Sequence, residues 1–315
     1  MEYGLAEVTE ADIGPLTEFL ARHPDYPIER LASTPASLAA KLRVAPRGWV
    51  ARRGPEIVSS CTLTRKPLIW DGAPGVGAEI GDTYTGRDDQ RRGLFSALVD
   101  RTTAAGFGGG YAAIYSTPNP VSRLGYLRRC GYVEWPRTVV SLACAVGLAR
   151  STAGLWRRLA RGTDAVEDFE FWRKHEAAWR REARAYGLAV DRGADYLGWR
   201  FGGGGFRIFT VAAGAAPAYL VLRTVRQADT VRAVIADLWA SHAGHRWRLF
   251  ARAMLEAVRA GATWLTLWAP ARSAVAAQAL GLGFVPHRRV SVVYKSDLPP
   301  GRPAIYFMIG DSDNV

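Results

Sequence analysis

The stretch Gly81 to Leu98, GDTYTGRDDQRRGLFSAL, changes character twice. Strand-forming residues from Ala78 to Tyr84 give way to a polar, basic turn, Gly86 to Gly93, and apolar residues then resume at helical spacing with Leu94, Leu98 and Val99. A helix starting there leaves its first N–H groups unpaired and points the positive end of its dipole into the turn, which makes the junction a cradle for an anion. Gly93 permits close approach of backbone to ligand, and Arg91 and Arg92 add charge. A nucleotide, a phosphosugar or a structural ion would each suit such a cradle.

Upstream, Tyr3 to Val8 reads as a strand, Thr9 as a helix cap, and Ile13, Leu16, Phe19 and Leu20 as a buried helix face. His23 follows as a loop residue within reach of a substrate, and a proline-punctuated segment holds a second helix around Ala36 to Leu42. Trp49 to Arg53 and Ile57 to Leu63 flank Gly54-Pro55 as a hairpin, and Asp71 to Gly77 reads as a turn-rich loop before the strand from Ala78. Downstream come a helix to about Ala105, a strand Tyr111 to Tyr115, a helix Val121 to Cys130 stopped by Gly131, and a strand Val139 to Ala145 expected to close the unit.

On this order of elements, the run Gln90-Arg91-Arg92-Gly93-Leu94-Phe95 resembles the Q/R-x-x-G-x-G/A pyrophosphate motif of the GCN5-related N-acetyltransferases (GNATs). Pro118-Asn119, Ser122, Tyr126 and Gly131-Tyr132 resemble the asparagine, small residue, tyrosine and glycine-aromatic series of the same family. Phe95 departs from the pattern, standing where the family has glycine or alanine, and is expected to narrow or reshape the cofactor slot.

The second half resembles a worn copy of the first. With residue n placed against n+152, Gly131-Tyr132-Val133 meets Gly283-Phe284-Val285 and Pro118 meets Pro270, whereas His242 faces Gln90, His245 faces Gly93, Ala271 faces Asn119 and Gln278 faces Tyr126. The expectation is an α/β fold of mixed sheets in two tandem GNAT-like domains: residues 1–147 with the acyl-CoA site, a linker 148–164, and a degenerate domain 165–315 that contributes to an acceptor cleft. Phe169, Trp172, Trp179, Ala183 and Tyr186 form an aromatic stripe read first as core and second as an acyl-chain lining. The segment from Asp195 through Trp199 to Phe201 resembles one in two-domain acyltransferases of polysaccharide and antibiotic-sugar pathways.

Of the 41 basic residues only Lys41, Lys66, Lys174 and Lys295 are lysines; the net charge is +12, but the arginines are scattered and no basic-aromatic RNA signature appears, which argues against nucleic acid. Cys61, Cys130 and Cys144 lack paired spacing, so neither a disulfide framework nor a zinc site is expected, and a reducing cytoplasm fits. His242 and His245 share a helical face without a third ligand, so no metal is expected. No apolar run spans a bilayer, so a cytoplasmic protein without a membrane span is expected.

The resemblance implies direct acyl transfer from acetyl-CoA or a longer acyl-CoA to an amine. It implies pyrophosphate binding by the backbone from Arg91 to Phe95 with Gln90 at the rim, and thioester contacts from Thr83, Tyr84 and Thr85. Asn119 and Ser122 would meet the pantetheine arm, and Tyr126 would protonate the departing thiolate. A base or a water chain must take the amine's proton: Asp82 is the first candidate base, with Glu79 and Asp311 behind it, and Glu79 and Asp82 lie on opposite faces of a regular strand unless a bulge intervenes. Trp199 and Asp311 join His23 as candidate acceptor contacts, although Asp311 and Asp313 equally suit a solvated tail. The expected acceptor is an amino sugar of a glycan, glycolipid or glycopeptide-type natural product. A mycothiol synthase-like enzyme, a non-catalytic scaffold and a basic nucleic-acid module remain the alternatives.

Overall fold

A computed structural model describes residues 2–22, 35–136, 138–203, 205–211, 217–227, 229–297 and 299–312. Two units emerge: unit 1 is Met1–Pro136, Ser291–Gly301 and Ser312–Val315, and unit 2 is Arg137–Val290 and Arg302–Asp311.

Unit 1 opens with β1 (Gly4–Glu7), α1 (Ile13–Ala21), α2 (Pro35–Lys41), β2 (Gly48–Arg53), β3 (Glu56–Trp70) and β4 (Ala73–Thr85). It continues through α3 (Leu94–Gly108), β5 (Ile114–Ser116), α4 (Pro120–Arg129) and β6 (Val133–Glu134). Unit 2 then takes β7 (Val139–Ala145), α5 (Gly147–Ser151), α6 (Ala153–Leu159), β8 (Thr163–Val166), α7 (Glu176–Ala183), β9 (Leu188–Val190) and α8 (Ala194–Phe201). It runs on through β10 (Phe206–Val211), β11 (Ala218–Gln227), β12 (Thr230–Ala240), α9 (Ala243–Arg259), β13 (Trp264–Pro270), α10 (Ala274–Gly281) and β14 (Val285–Val290). β15 (Val293–Lys295) returns to unit 1, and β16 (Ile305–Tyr306) to unit 2, where it pairs with β9.

The sheet of unit 1 runs β1-β2-β3-β4-β5-β15-β6 and that of unit 2 runs β8-β10-β11-β12-β13-β7-β14. Neighbours in each are antiparallel except β4 with β5 and β12 with β13, so the two mixed sheets share one plan. The strand Val139–Ala145, expected to close the first unit, instead lies in unit 2 between β13 and β14, and β15 fills the corresponding place in unit 1 between β5 and β6. Nothing in a strand's own sequence says which sheet receives it, because either site offers the same ladder and the same apolar face. The segment 148–164, expected as a linker, is built into unit 2 as α5, α6 and the start of β8.

Two further differences concern turns and strands. The expected loop from Asp71 to Gly77 is a two-residue turn: Asp71 and Gly72 have φ of 48° and 82°, and β3 and β4 pair from Trp70↔Ala73 onward. Two successive left-handed residues match the twist of a hairpin and so extend the ladder. β12 had no counterpart in the sequence reading, although the repeat requires a strand there. The aromatic stripe is core: Trp172 and Trp179 are fully buried, and each packs edge-on against Trp239 of β12.

In unit 1, α3 lies across β2, β3 and β4 and buries Leu94, Leu98 and Val99 in the same cluster as Leu63, Ile80 and Tyr126. The helix is thereby fixed against the strand that precedes it, and its N-terminus stands at the end of β4.

Candidate active site

β4 carries the geometry of the site. Among the described residues it pairs in parallel with β5 at Ala78↔Ile114 and Glu79↔Tyr115 and then continues without a strand partner on that side to Thr85. A bulge follows: Ser60 faces Tyr84 and Thr62 faces Gly81, so Asp82 and Thr83 together oppose Cys61. Asp82 adopts φ 45°, a left-handed conformation that costs a non-glycine residue roughly 1–2 kcal/mol. Three side chains hold it there. Ser60 Oγ donates to its carbonyl at 2.6 Å, and its Oδ2 accepts from Thr62 Oγ1 at 2.8 Å and from Lys41 Nζ at 2.7 Å.

These contacts change the reading of the two acids. Asp82 is buried and ion-paired with Lys41, and Glu79 is buried beside Lys66, whose side chain is fully enclosed at 3.4 Å. A carboxylate whose lone pairs are taken by an ammonium and a hydroxyl is a weak base. The expected bulge does intervene, and Asp82 serves to hold it.

Beyond β4, the turn from Gly86 to Gly93 is tied down at several points. Gln90 Nε2 donates to the Thr85 carbonyl at 3.2 Å, Ser59 Oγ lies 2.8 Å from Thr85 Oγ1, and Tyr84 packs edge-on against Phe19. Asp89, buried, accepts from the Tyr3 hydroxyl at 2.7 Å and from Arg53 at 3.1 Å, and Arg92 lies over the Tyr3 ring. Arg91 and Gly93 have φ of 64° and 81°, and a Cβ on Gly93 would have no atom within 4 Å, so the space in front of it is open. Gly93 caps α3 without a side-chain bond, and among the described residues the backbone N–H groups of Arg91 to Phe95 donate to no protein acceptor.

Tyr126 of α4 is buried with its hydroxyl 3.1 Å from Thr83 Oγ1, which links it to the bulge. Burial, and then the neighbouring Cys61, raise its pKa far above the ordinary value, so it is neutral at any physiological pH. Its ring packs edge-on against Phe95 and Tyr132, at 5.3 and 5.0 Å. Phe95 points at α4 rather than across the turn: a Cβ on Gly125 would lie 2.5 Å from its Cε1. The aromatic ring that breaks the sequence pattern is thus accommodated by a glycine on the facing helix. Asn119 is the N-cap of α4, its Oδ1 accepting from the N–H of Val121 and of Ser122 and from Ser122 Oγ.

The remaining sequence candidates fall elsewhere. His23 lies outside the described residues. Trp199, on α8 of unit 2, packs against Tyr196. Asp311, expected at a cleft or in a solvated tail, is buried, bonded through both oxygens to Arg192 and capping the N–H of Met308. Arg192, itself fully buried, also binds Asp237 of β12 and is stacked on Trp179 and Tyr306. Among the described residues no group of three His, Cys, Asp or Glu could hold a metal ion, and no helix is long and apolar enough to cross a membrane.

Sequence reading missed Tyr3, Lys41, Arg53, Ser60, Thr62 and Lys66. The lysines left a trace, because a chain that otherwise uses arginine keeps Lys41 and Lys66 for compact ion pairs with Asp82 and Glu79.

The chain as a whole superposes on solved structures of GNAT proteins at low sequence identity. The protein has the GNAT fold. A GCN5-related N-acetyltransferase from Anabaena variabilis superposes with a TM-score of 0.69 at 11% identity, over 94% of this chain and 73% of that one. A tandem GNAT protein from the clavulanic acid biosynthesis pathway matches with a TM-score of 0.62 at 14% identity, over 95% and 99% of the two chains. Saccharomyces cerevisiae N-myristoyltransferase gives 0.66 at 10% identity, over 96% and 80%. No family model matches the sequence, and neither does any curated protein.

Proposed function

We propose that the protein is an acyl-CoA-dependent N-acyltransferase whose donor site is the β4–α3 junction of unit 1. The observation that carries this reading is the row of unpaired N–H groups from Arg91 to Phe95, entered through two left-handed residues at the start of α3. Such a row binds a pyrophosphate without bringing an acidic side chain near it. Arg91 and Arg92 add charge at the rim, and Gln90 fixes the turn to β4.

The rest of the donor follows the strand. Past Glu79 the β5 side of β4 has no strand partner among the described residues, and an extended pantetheine arm with its two amides can take that place by strand addition. Asn119, its oxygen spent on the cap, offers its NH2 group to the arm, with Ser122 beside it. The backbone at Thr83 to Thr85 faces the thioester oxygen, which gains charge as the amine attacks. In that step the amine nitrogen bonds to the carbonyl carbon, the C–S bond breaks, and the sulfur takes a proton. Tyr126, neutral and hydrogen-bonded to Thr83, supplies that proton or stabilises the thiolate as a donor. With Asp82 and Glu79 held in ion pairs, the proton of the attacking ammonium leaves through water.

The acceptor in this reading is the amine of an amino sugar on a glycan, glycolipid or glycopeptide-type natural product. Its support is the likeness to a tandem GNAT protein of a natural-product pathway. Unit 2 is read as a copy without a donor site, which disfavours a mycothiol synthase-like enzyme working through its second half. Calorimetric titration with acetyl-CoA and with longer acyl-CoAs tests the assignment. Binding is expected, with loss of at least about 100-fold in affinity in Gly93→Glu; equal binding by that variant would overturn it.

A further inference from the structure

Unit 2 contains a cavity of about 390 Å³ between α6 and the first turns of α9, remote in sequence from every residue assigned above. Its walls include Trp156, Arg158, Arg161, Trp247 and Arg248, with Gly244 at the start of α9. This volume falls within the range of small-molecule sites, roughly 300–1,000 Å³.

The side chains are arranged by the fold. Trp156 Nε1 donates to Thr152 Oγ1 at 3.0 Å, and its ring packs on the buried cluster of Ala160, Ala251 and Leu255, so it forms a fixed floor. Trp247 and Arg248 sit one turn after Gly244 and three to four residues before Ala251, on the same face of α9. Trp247 is 40% exposed, with the edge of its ring close to Gly281 at the end of α10. Arg248 Nη1 lies over the turn at Gly162.

Charge is what distinguishes the cavity. Arg158, Arg161 and Arg248 are exposed and make no ion pair among the described residues, and no acidic side chain lines the walls. The contrast with neighbouring arginines is direct: Arg252 and Arg259 of α9 and Arg207 of β10 are all spent on the one buried carboxylate of Glu256. Three guanidinium groups lining one cavity without an acidic partner favour an anion between them. Two indole faces beside them suit a flat ring, and guanidinium groups bind phosphate, sulfonate or carboxylate through paired N–H donors.

We propose that this cavity binds a small anion carrying a flat aromatic or heteroaromatic body, of the aryl phosphate, aryl sulfonate or nucleoside phosphate class. The ring lies against Trp156 and Trp247, and the anionic group lies on the arginines. The site is independent of the donor site in unit 1.

The full chain is titrated with 8-anilinonaphthalene-1-sulfonate, followed by fluorescence, in the Gly93→Glu background so that the turn of unit 1 does not compete. Saturable binding of one equivalent is expected, displaced by ADP. Arg158→Ser with Arg248→Ser is expected to weaken it at least about tenfold, since both changes remove charged hydrogen-bond donors to the anion. Trp247→Ala is expected to do the same. These residues are exposed, so circular dichroism and the thermal midpoint should stay as in the parent, which separates lost binding from lost folding. Binding within twofold of the parent in both variants would overturn the proposal, as would several equivalents that ADP does not displace. Sedimentation with phosphatidylglycerol vesicles supplies a third arm: retention on vesicles without displacement by ADP would make the patch a lipid-surface contact and overturn the small-molecule site.

Discussion

The two junctions between a central strand and the helix that follows it differ sharply. In unit 1 the eight residues from Gly86 to Gly93 separate β4 from α3, whereas in unit 2 only Ser241 and His242 separate β12 from α9. Both strands are bulged near this end: β12 places Asp237 opposite Val221 and Ile235 opposite Leu222, with Ala236 as the extra residue. In unit 1 the bulge faces an open stretch of strand edge. In unit 2 the chain itself fills that space: the single 3-10 turn Ile309–Asp311 packs on β12 and β13, Gly310 lies so close that a Cβ would stand 2.7 Å from the Ala236 carbonyl, and Asp311 closes on Arg192. A bulge that splays two parallel strands makes room, which the long turn of unit 1 leaves open and the segment Ile309–Asp311 closes in unit 2.

The comparison can be broken most forcefully at its closed side. Arg192→Ala leaves Asp237 and Asp311 buried without their cation, and denaturant unfolding should show a loss of about 3–5 kcal/mol; a loss below 1 kcal/mol would mean that the plug is not held by this ion pair. On the open side, turnover in Tyr126→Phe should fall by about 100-fold while acyl-CoA affinity changes by less than threefold, and unchanged turnover at saturating substrate would remove the hydroxyl from the reaction. Packing next to the turn gives a smaller effect. Gly125→Ala should cost about 1–3 kcal/mol by overpacking against Phe95, and adding Phe95→Leu should recover most of it, whereas additive losses in the double variant would contradict the contact.

The smallest effect per group is shared by both units. Tyr126, Tyr132, Tyr219 and Tyr306 are buried, and burial is the largest cause raising each pKa above the ordinary 10.0. Stability from these groups is complete below pH 10 and falls above it, because the unfolded chain loses protons that the folded one keeps. The expected slope is about 1.4 kcal/mol per pH unit for each such tyrosine, and a flat unfolding free energy between pH 9.5 and 11 would contradict it.

How far the sequence reveals these features depends on the range of the interactions. The turn between β4 and α3 was legible because Gly93, the basic residues and the apolar helix face are contiguous, and local backbone geometry follows from local residue types. The aromatic stripe at Trp172 and Trp179 was legible as core for the same reason of periodicity. The gap-free repeat was legible near Gly131 and Gly283, both of which are left-handed, but its register fails at the junctions: α3 is capped by Gly93 and α9 by His242, not His245. Insertions accumulate in surface turns, where they disturb no packing, so an offset taken from one part of a repeat does not carry through a loop.

Sequence alone determined the alternation of strands and helices in the first half and the turn at Gly86 to Gly93 that leads into α3, both of which depend on residues close in the chain. Only the tertiary structure decided that β7 and β15 enter the sheet of the other half, that Lys41 and Lys66 neutralise the two candidate bases, and that Asp311 is consumed by Arg192. Each of those is a pairing across many residues, and the identity of a buried charge's partner is settled by which groups the packed core brings within hydrogen-bond distance.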